Sequence, residues 1–450
     1  MSKNSSVNGN RITQIKLRKF PYPYNAALTI CSDIDGTSLE NFITIHKFLN
    51  TDHETTLGKG LNLPIGNSFW MYDRPSLTNS AFSYFENLQG KQSNAAPVIR
   101  SFIQAGIIDV MHSYGNFAGM KDFSRKLALT AIEELQKYNL KINVWTNHGG
   151  IESIQNIGAF SWGKGDIPTH EENGTSGDLD CYHTDLLLEY GIRFYWDCHV
   201  SLTSLVGQDS PVHFSEAYWR SPLYSGFQLK AKSIIKGYFS FADLLYYKLR
   251  RKHFVPWQPF DLQNNLIQID QLRDGNILFK FKRYGHQKLD RSDHLDFLLN
   301  DKVLDHLFKK KGYLILSVCL GNLNQKQNRI VLTSNTIKNL NQVAELYHNG
   351  KIWIETTSRL LNYNFIHKYL KWSVSSSESQ YYIKIEGLNP NVPTYDLSSD
   401  DLSGLTFVCP ADKEVLLFFK EQKIPAKVHL EKEKNQQNIM IPIKRLEWPL

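Results

Sequence analysis

The sequence predicts an α/β protein, a parallel barrel or sheet followed by a small all-β domain, and three observations carry that prediction. A compact apolar and β-branched run, Ala27 to Cys31, ends abruptly in S-D-I-D-G, so a strand delivers Asp33 and Asp35 to an edge. The unit of strand, polar tip and helix then recurs as far as Leu361, the pattern of parallel α/β folds. From Gln380 onward short β-type runs separated by turns replace it.

Each element follows from local pattern. Asn41 to Asn62 is mixed and part helical, and a polar, aromatic stretch to Ala96 reads as loops and short strands. Pro97 to Gln104 has Val98, Ile99, Phe102 and Ile103 at helical spacing behind an initial proline. Strand Ile107 to Met111 ends in His112-Ser113-Tyr114-Gly115-Asn116. Asp122 to Tyr138 places Leu127, Ala131 and Leu135 on one helix face, with Asp122 as the expected cap. Lys141 to Trp145 is a strand ending in Thr146-Asn147-His148-Gly149, and after a helix over Asp185 to Tyr190, strand Ile192 to Trp196 ends in Asp197-Cys198-His199. Gly312 to Cys319 and Lys351 to Thr356 are further strands. Ligands of parallel sheets sit at the carboxyl ends of strands, so these polar tips are the candidate site.

Composition narrows the class. The 450 residues are 42% hydrophobic and 21% charged, enough for a sizeable core. The net charge of +7 is dispersed except at Lys248 to His253 and Lys309 to Lys311, which read as solvated surface, so no nucleic-acid partner is expected. Trp70, Trp145, Trp162, Trp196, Trp219 and Trp257 supply flat apolar rings for core or sugar cleft. Five cysteines without a C-x-x-C pair give neither a disulfide framework nor a thiolate zinc site. The polar N-terminus has no signal-peptide core and no run spans a bilayer, so the expected location is cytoplasmic. Asn173-Gly174-Thr175 reads as a plain loop.

The ordered set S-D-I-D-G, H-S-Y-G-N, V-W-T-N-H-G, Y-H-T-D-L-L-L-E-Y-G-I-R-F-Y-W-D, Y-L-I-L-S-V-C-L-G and G-K-I-W-I-E-T-T-S-R-L-L resembles the polysaccharide deacetylase family, the NodB-homology or carbohydrate esterase family 4 barrels, from Pro21 to Leu361. The resemblance implies a distorted, incomplete parallel β/α barrel, with Asp33 as base and Asp35 and His112 as metal ligands. Asn116 stands where the family's second metal-binding histidine is expected, T-N-H-G where an Arg-Pro segment shapes the groove, and Cys319 near the general-acid histidine.

Hydrolysis of an acyl bond needs an activated water, an oxyanion sink and a leaving-group acid. A zinc-like divalent metal suits the first two, with Asp35, His112 and Asn116 as the metal set; the Asn amide oxygen is the poor ligand of the three, and His148 can supply an imidazole from the neighbouring strand end. Asp33, His148 and Asp197 are the catalytic candidates; Asn147, Trp196, His199 and Arg220 are the substrate-binding ones, and His183 is a further cleft residue. The bland alternatives are turn-capping carboxylates, hydrogen-bonded core histidines and a buried apolar cysteine. The expected function is removal of an acetyl group from a carbohydrate or glycan. Its alternative is a lapsed barrel that binds carbohydrate, and a metal-independent glycosidase is a third reading.

The expected organisation is a polar extension over 1–20, the barrel over 21–370, a serine-rich linker over 371–379 and a β-sandwich-like domain over 380–450.

Overall fold

The computed structural model describes residues 15–74, 80–117, 122–149, 153–157, 181–198, 200–201, 206–211, 263–272, 274–285, 289–322, 332–390, 392 and 396–450. His199, Arg220, Trp162, Trp219, Trp257, Asn173 and the basic run Lys248 to His253 lie outside the described residues. The chain divides into two compact units, one of Asn25–Leu361 with Arg445–Leu450, the other of described residues 15–24 with Asn362–Lys444.

The larger unit is mixed α/β, built on an eleven-stranded sheet. Its strands are β1 (Ala26–Ser32), β2 (Gly66–Phe69), β3 (Ile108–Met111), β4 (Val144–Thr146), β5 (Phe194–Trp196), β6 (Val200–Ser201), β7 (Ile267–Gln271), β8 (Ile277–Phe281), β9 (Arg283–Tyr284), β10 (Tyr313–Val318) and β11 (Ile352–Ile354). The path runs β7-β8-β5-β4-β3-β2-β1-β10-β9-β6, with β11 also on β1. β7 and β8 pair antiparallel; the neighbours from β8 through β5 to β2, and those around β1, β10 and β9, are parallel. β10 follows β1 from Ala27 to Ser32, whereas β11 takes the first half of β1 and β2 its last two residues. Parallel strands need crossovers, and the helices α1 (Leu39–Asn50), α2 (Ala96–Gln104), α3 (Arg125–Lys137), α4 (Thr184–Tyr190), α5 (Leu295–Leu298), α6 (Asp301–Lys310) and α7 (Ser334–His348) provide them.

Side-chain alternation on β1 sorts its neighbours. Leu28 and Ile30 join Ile45, Phe48 and Leu49 of α1 and Leu340 and Val343 of α7 in one apolar cluster. Thr29, on the other face, donates to the Glu355 carbonyl beyond β11. A second cluster gathers Phe102 and Ile103 of α2 and Ala128, Ala131 and Leu135 of α3 against Ile108, Trp145 and Tyr195. Ser38, Asn300 and Thr333 cap α1, α6 and α7 through their side chains. Asp122 is not the cap of α3: the helix begins after Ser124, and Asp122 pairs with Arg74.

The smaller unit holds two four-stranded sheets. Lys16–Leu17 pairs with Thr406–Pro410, so the residues before Pro21 that are described belong to a sheet rather than a free extension. The serine-rich stretch expected as a linker is the strand Leu370–Ser376, paired antiparallel with Gln380–Leu388. Its serines alternate with Trp372 and Val374, one face exposed and one half-buried, which is strand patterning that the serine content obscures. The unit also takes the end of the helix Thr357–Tyr369 (α8). No helix among the described residues is long and apolar enough to cross a membrane.

Candidate metal centre

Three strand ends build the site. At the end of β1, Asp33 N–H donates to the Val318 carbonyl at 2.8 Å and Ile34 N–H to Ser68 Oγ at 3.0 Å, which fastens the D-x-D-G turn to both flanking strands. Gly36 turns at φ +65°, and a Cβ there would lie 2.9 Å from the Asn322 side chain, so the position requires glycine. At the end of β3, His112 N–H bonds Phe69 O at 3.1 Å, and Ser113, at φ +53°, donates to Thr146 O at 3.1 Å. Buried Gln155 clamps the next turn, accepting from Tyr114 N–H at 3.0 Å and donating to Gly115 O at 2.7 Å. Beyond β4, Asn147 Oδ1 accepts from Trp145 Nε1 at 2.8 Å and from Ile157 N–H at 3.0 Å, and Asn156 Oδ1 accepts the His148 N–H at 3.0 Å.

These turns bring Asp35, His112 and His148 together. His112 Nε2 lies 3.1 Å from Asp35 Oδ2, His148 Nδ1 lies 3.4 Å from Asp35 Oδ1, and the two ring nitrogens are 3.1 Å apart. One donor atom from each residue falls within 4.8 Å of the others. Ligand bonds of about 2.0–2.2 Å in a tetrahedral site separate donors by roughly 3.3–3.6 Å, and with the two nitrogens each near a different Asp35 oxygen the three side chains are close enough that they could hold a first-row divalent ion. Two imidazoles and a carboxylate are also the donor types such ions prefer.

The surroundings direct the lone pairs inward. His112 Nδ1 lies 2.5 Å from Thr146 Oγ1 and 3.6 Å from Asp33 Oδ1, so a proton on Nδ1 leaves Nε2 free to face the cluster. His148 Nε2 lies 3.3 Å from Asn116 Oδ1, and a proton on Nε2 leaves Nδ1 facing it. Asn116 therefore meets the cluster through His148, as an outer partner, instead of standing as the ligand expected at i+4. Its neutral amide suits that role better than direct ligation. The Trp70 indole stacks on His112 at 6.1 Å and meets His148 edge-on at 5.0 Å, forming an apolar wall. Burial raises the Asp35 pKa, but His148 and His112 outweigh it and hold the carboxyl well below its usual range. Burial pulls His148 down to about 4 against the opposing charge of Asp35, whereas Asp33 and Asp35 outweigh burial at His112 and raise it.

Asp33 is not in the cluster but beside it. Arg283 from β9 grips it with a fork, Nη2 to Oδ2 at 2.6 Å and Nη1 to Oδ1 at 3.2 Å, while Ser317 Oγ and Cys31 O accept from Nη2 at 2.5 and 3.3 Å. The guanidinium stacks on Trp196 at 4.2 Å. Sequence reasoning missed Arg283. It sits in the run F-K-F-K-R-Y directly after Lys280 and Lys282, where nothing in the pattern marks one cation as buried.

Four of the candidate residues are held in contacts of their own. Trp196 is buried beneath Arg283 rather than set in a groove wall. Asn147 is buried with its amide spent on holding its loop, including Nδ2 to Ile157 O at 2.7 Å. Asp197 is buried beside Lys280 Nζ at 3.5 Å, as half of an ion pair. His183 packs among Tyr114, Phe123 and Trp145 with Nε2 2.8 Å from Gln155 O, a core histidine that burial pulls down to about 4.

No protein-family profile and no curated protein matches the chain. Among solved structures it is similar to an endo-beta1,6-glucanase, at 8% identity and a TM-score of 0.27 over 98% of this chain and 93% of that one, a likeness that carries no argument.

Proposed function

We propose that the chain is a metal-dependent hydrolase that removes an acyl group, acetyl above all, from the nitrogen or oxygen of a carbohydrate or glycan, on a distorted, incomplete β/α barrel. The observation that carries the reading is the convergence of Asp35, His112 and His148 beside a separately held Asp33. Asp35 Oδ, His112 Nε2 and His148 Nδ1 are the atoms that would hold a divalent ion. A bound divalent ion lowers the pKa of a water from about 15.7 to about 7 and polarises the acyl carbonyl. Asp33 accepts the proton of the attacking water. Arg283 keeps that carboxylate in place through two hydrogen bonds, and Thr146 and Asn116 hold the two imidazoles so that their other ring nitrogens face the cluster where an ion would sit. Trp70 excludes water from one side of the cluster.

The test is elemental analysis of protein purified without a His-tag, for wild type, H112A and H148A, followed by an acetate-release screen on acetylated glycans. Stoichiometric zinc, cobalt, nickel or iron in wild type that falls in both variants, with acetate released, supports the reading. No metal after incubation with zinc, and no acetate, overturns it. Cys319 favours a second reading, a barrel retained for binding: it stands where the resemblance expects a proton-donating histidine, and burial pushes its thiol well above its usual range. That reading predicts glycan binding without acetate release.

A further inference from the structure

One sheet of the smaller unit ends on an uncovered apolar strand. Its strands lie in the order Lys16–Leu17, Thr406–Pro410, Gln436–Met440, Lys427–Glu431, so Lys427–Glu431 is the outer edge and pairs, among the described residues, with Gln436–Met440 alone. The register sets Phe407 against Ile439 and Ile439 against Val428, and Cys409 against Gln437 and Gln437 against Leu430. Residues directly opposite share a face, so Val428 and Leu430 prolong the face that holds Phe407, Cys409 and Ile439. Those three are buried, and Trp372 of the other sheet meets Phe407 edge-on at 5.0 Å. The cover stops short of the last strand, where Val428 and Leu430 are 55% and 60% exposed. On the opposite face His429 stacks on Tyr22 at 4.9 Å, and Glu431 accepts from Asn438 Nδ2 at 2.9 Å and from Lys434 Nζ at 2.6 Å. Lys427 is exposed and has no carboxylate partner among the described residues.

We propose that Lys427–Glu431 pairs with the same strand of a second copy of this chain, antiparallel about a two-fold axis at His429, so that the two sheets join edge to edge. The order of residues in K-V-H-L-E selects that occupant. A lysine on an edge strand ordinarily repels an incoming strand. Here the strand carries its own complement: in the antiparallel register centred on His429, Lys427 lies opposite the partner's Glu431, Glu431 opposite the partner's Lys427, and Val428 opposite the partner's Leu430, the self-complementary contact that a two-fold interface requires. Parallel pairing in register would set lysine against lysine and glutamate against glutamate. Glu431 is already held, one oxygen by Asn438 and the other by Lys434, and a carboxylate with about four lone-pair sites still accepts a further donor. The incoming ammonium therefore meets a fixed carboxylate, while each Val428 and Leu430 gains an apolar neighbour in place of water. The proposal is independent of the chemistry at the metal centre.

The test is sedimentation equilibrium of the full chain as wild type, V428K/L430K, K427E and K427E/E431K, across a dilution series reaching about 100 μM, with near-UV circular dichroism as the check on native packing. Wild type is expected to approach twice the 52.0 kDa of one chain. V428K/L430K, changed only at exposed positions, is expected to stay at the mass of one chain with an unaltered spectrum. K427E should raise the dissociation constant roughly tenfold, because it sets like charges opposite each other at both ends of the paired strands, and K427E/E431K should recover most of that loss by reversing both members of each pair. Wild type that remains a monomer at the highest concentration overturns the proposal and leaves the edge to a partner of another kind. A dimer that V428K/L430K or K427E leaves unchanged uses a different surface, and assembly beyond a dimer is not the closed pairing of two edges; either result overturns the proposal. K427E/E431K no tighter than K427E overturns the antiparallel register.

Discussion

Arg283 and Asp33, 250 residues apart in sequence, meet as a two-pronged ion pair with the arginine side chain fully buried. Removing one partner of such a pair leaves a buried charge uncompensated, which costs about 3–5 kcal/mol. R283M should therefore lower the unfolding free energy read from urea denaturation by an amount of that size, and R283K should fall between because an ammonium cannot reproduce the fork. R283M combined with D33N should recover part of the loss, since the double variant buries no orphan charge. An R283M protein as stable as wild type would mean that the pair is solvated in solution.

Asn116 and His148 should separate in a metal titration. Outer partners of a ligating histidine tune affinity by about 10–100-fold, whereas loss of a ligand removes the site. N116A is expected to weaken zinc binding in a chelator competition by that factor, and H148A to abolish stoichiometric binding. Affinity in wild type should also drop as pH falls, because a ligating imidazole must be neutral and Asp33 and Asp35 together favour the proton on His112. Equal zinc affinity in N116A and wild type would show that the Asn116 contact does not orient the ring.

Much of the α/β unit was legible because its strands are short apolar runs that end in polar tips, and strand direction alone assembles those tips on one side of a parallel sheet. The runs around Ala27, Ile108, Leu314 and Ile352 were placed within a residue or two of their ends. Direction within the tip is set by contacts across the turn that local pattern does not show. Asn147 and His148 are adjacent, yet one turns back to hold the loop and the other faces the cluster, and that choice is made by Trp145, Ile157 and Asn156 across the turn. Arg283 was invisible for a related reason: its burial depends on Asp33 and Trp196, which come from distant strands. The strand over Leu370–Ser376 was missed because serine signals loops locally, while pairing with Gln380–Leu388 overrides that signal.

Gly66 on β2 should prove intolerant of a side chain. A Cβ at this position would lie 2.3 Å from Asp109 Oδ1 and 3.2 Å from Thr356 Cβ. Asp109 cannot retreat freely, since its Oδ2 accepts the Ser358 N–H at 2.6 Å at the start of α8. G66A should cost about 1–3 kcal/mol by overpacking, and G66A with D109A should cost less than the sum of the single changes. Additive losses in urea unfolding would show that the two residues do not compete for the same space.

Glu355 gives the pH dependence its clearest sign. Burial raises its carboxyl to about 7, and Asp109 adds to the rise; Arg359 Nη1 at 3.6 Å and the Thr356 N–H at 3.1 Å oppose it. The unfolded value is the ordinary 4.5, so between about pH 4.5 and 7 the folded chain holds a proton that the unfolded chain has lost. Stability from this group is therefore fully present below pH 4.5, falls as pH rises through the window, and levels off above about 7. The group is coupled to Asp109, itself raised to about 6 by burial, so the two act in the same direction. E355Q mimics the protonated form at every pH. Its stability relative to wild type should grow by a few kcal/mol between pH 4.5 and 8, read as the difference in urea unfolding free energy, and a difference that stays flat across that range would mean that Glu355 is ionised in the folded protein.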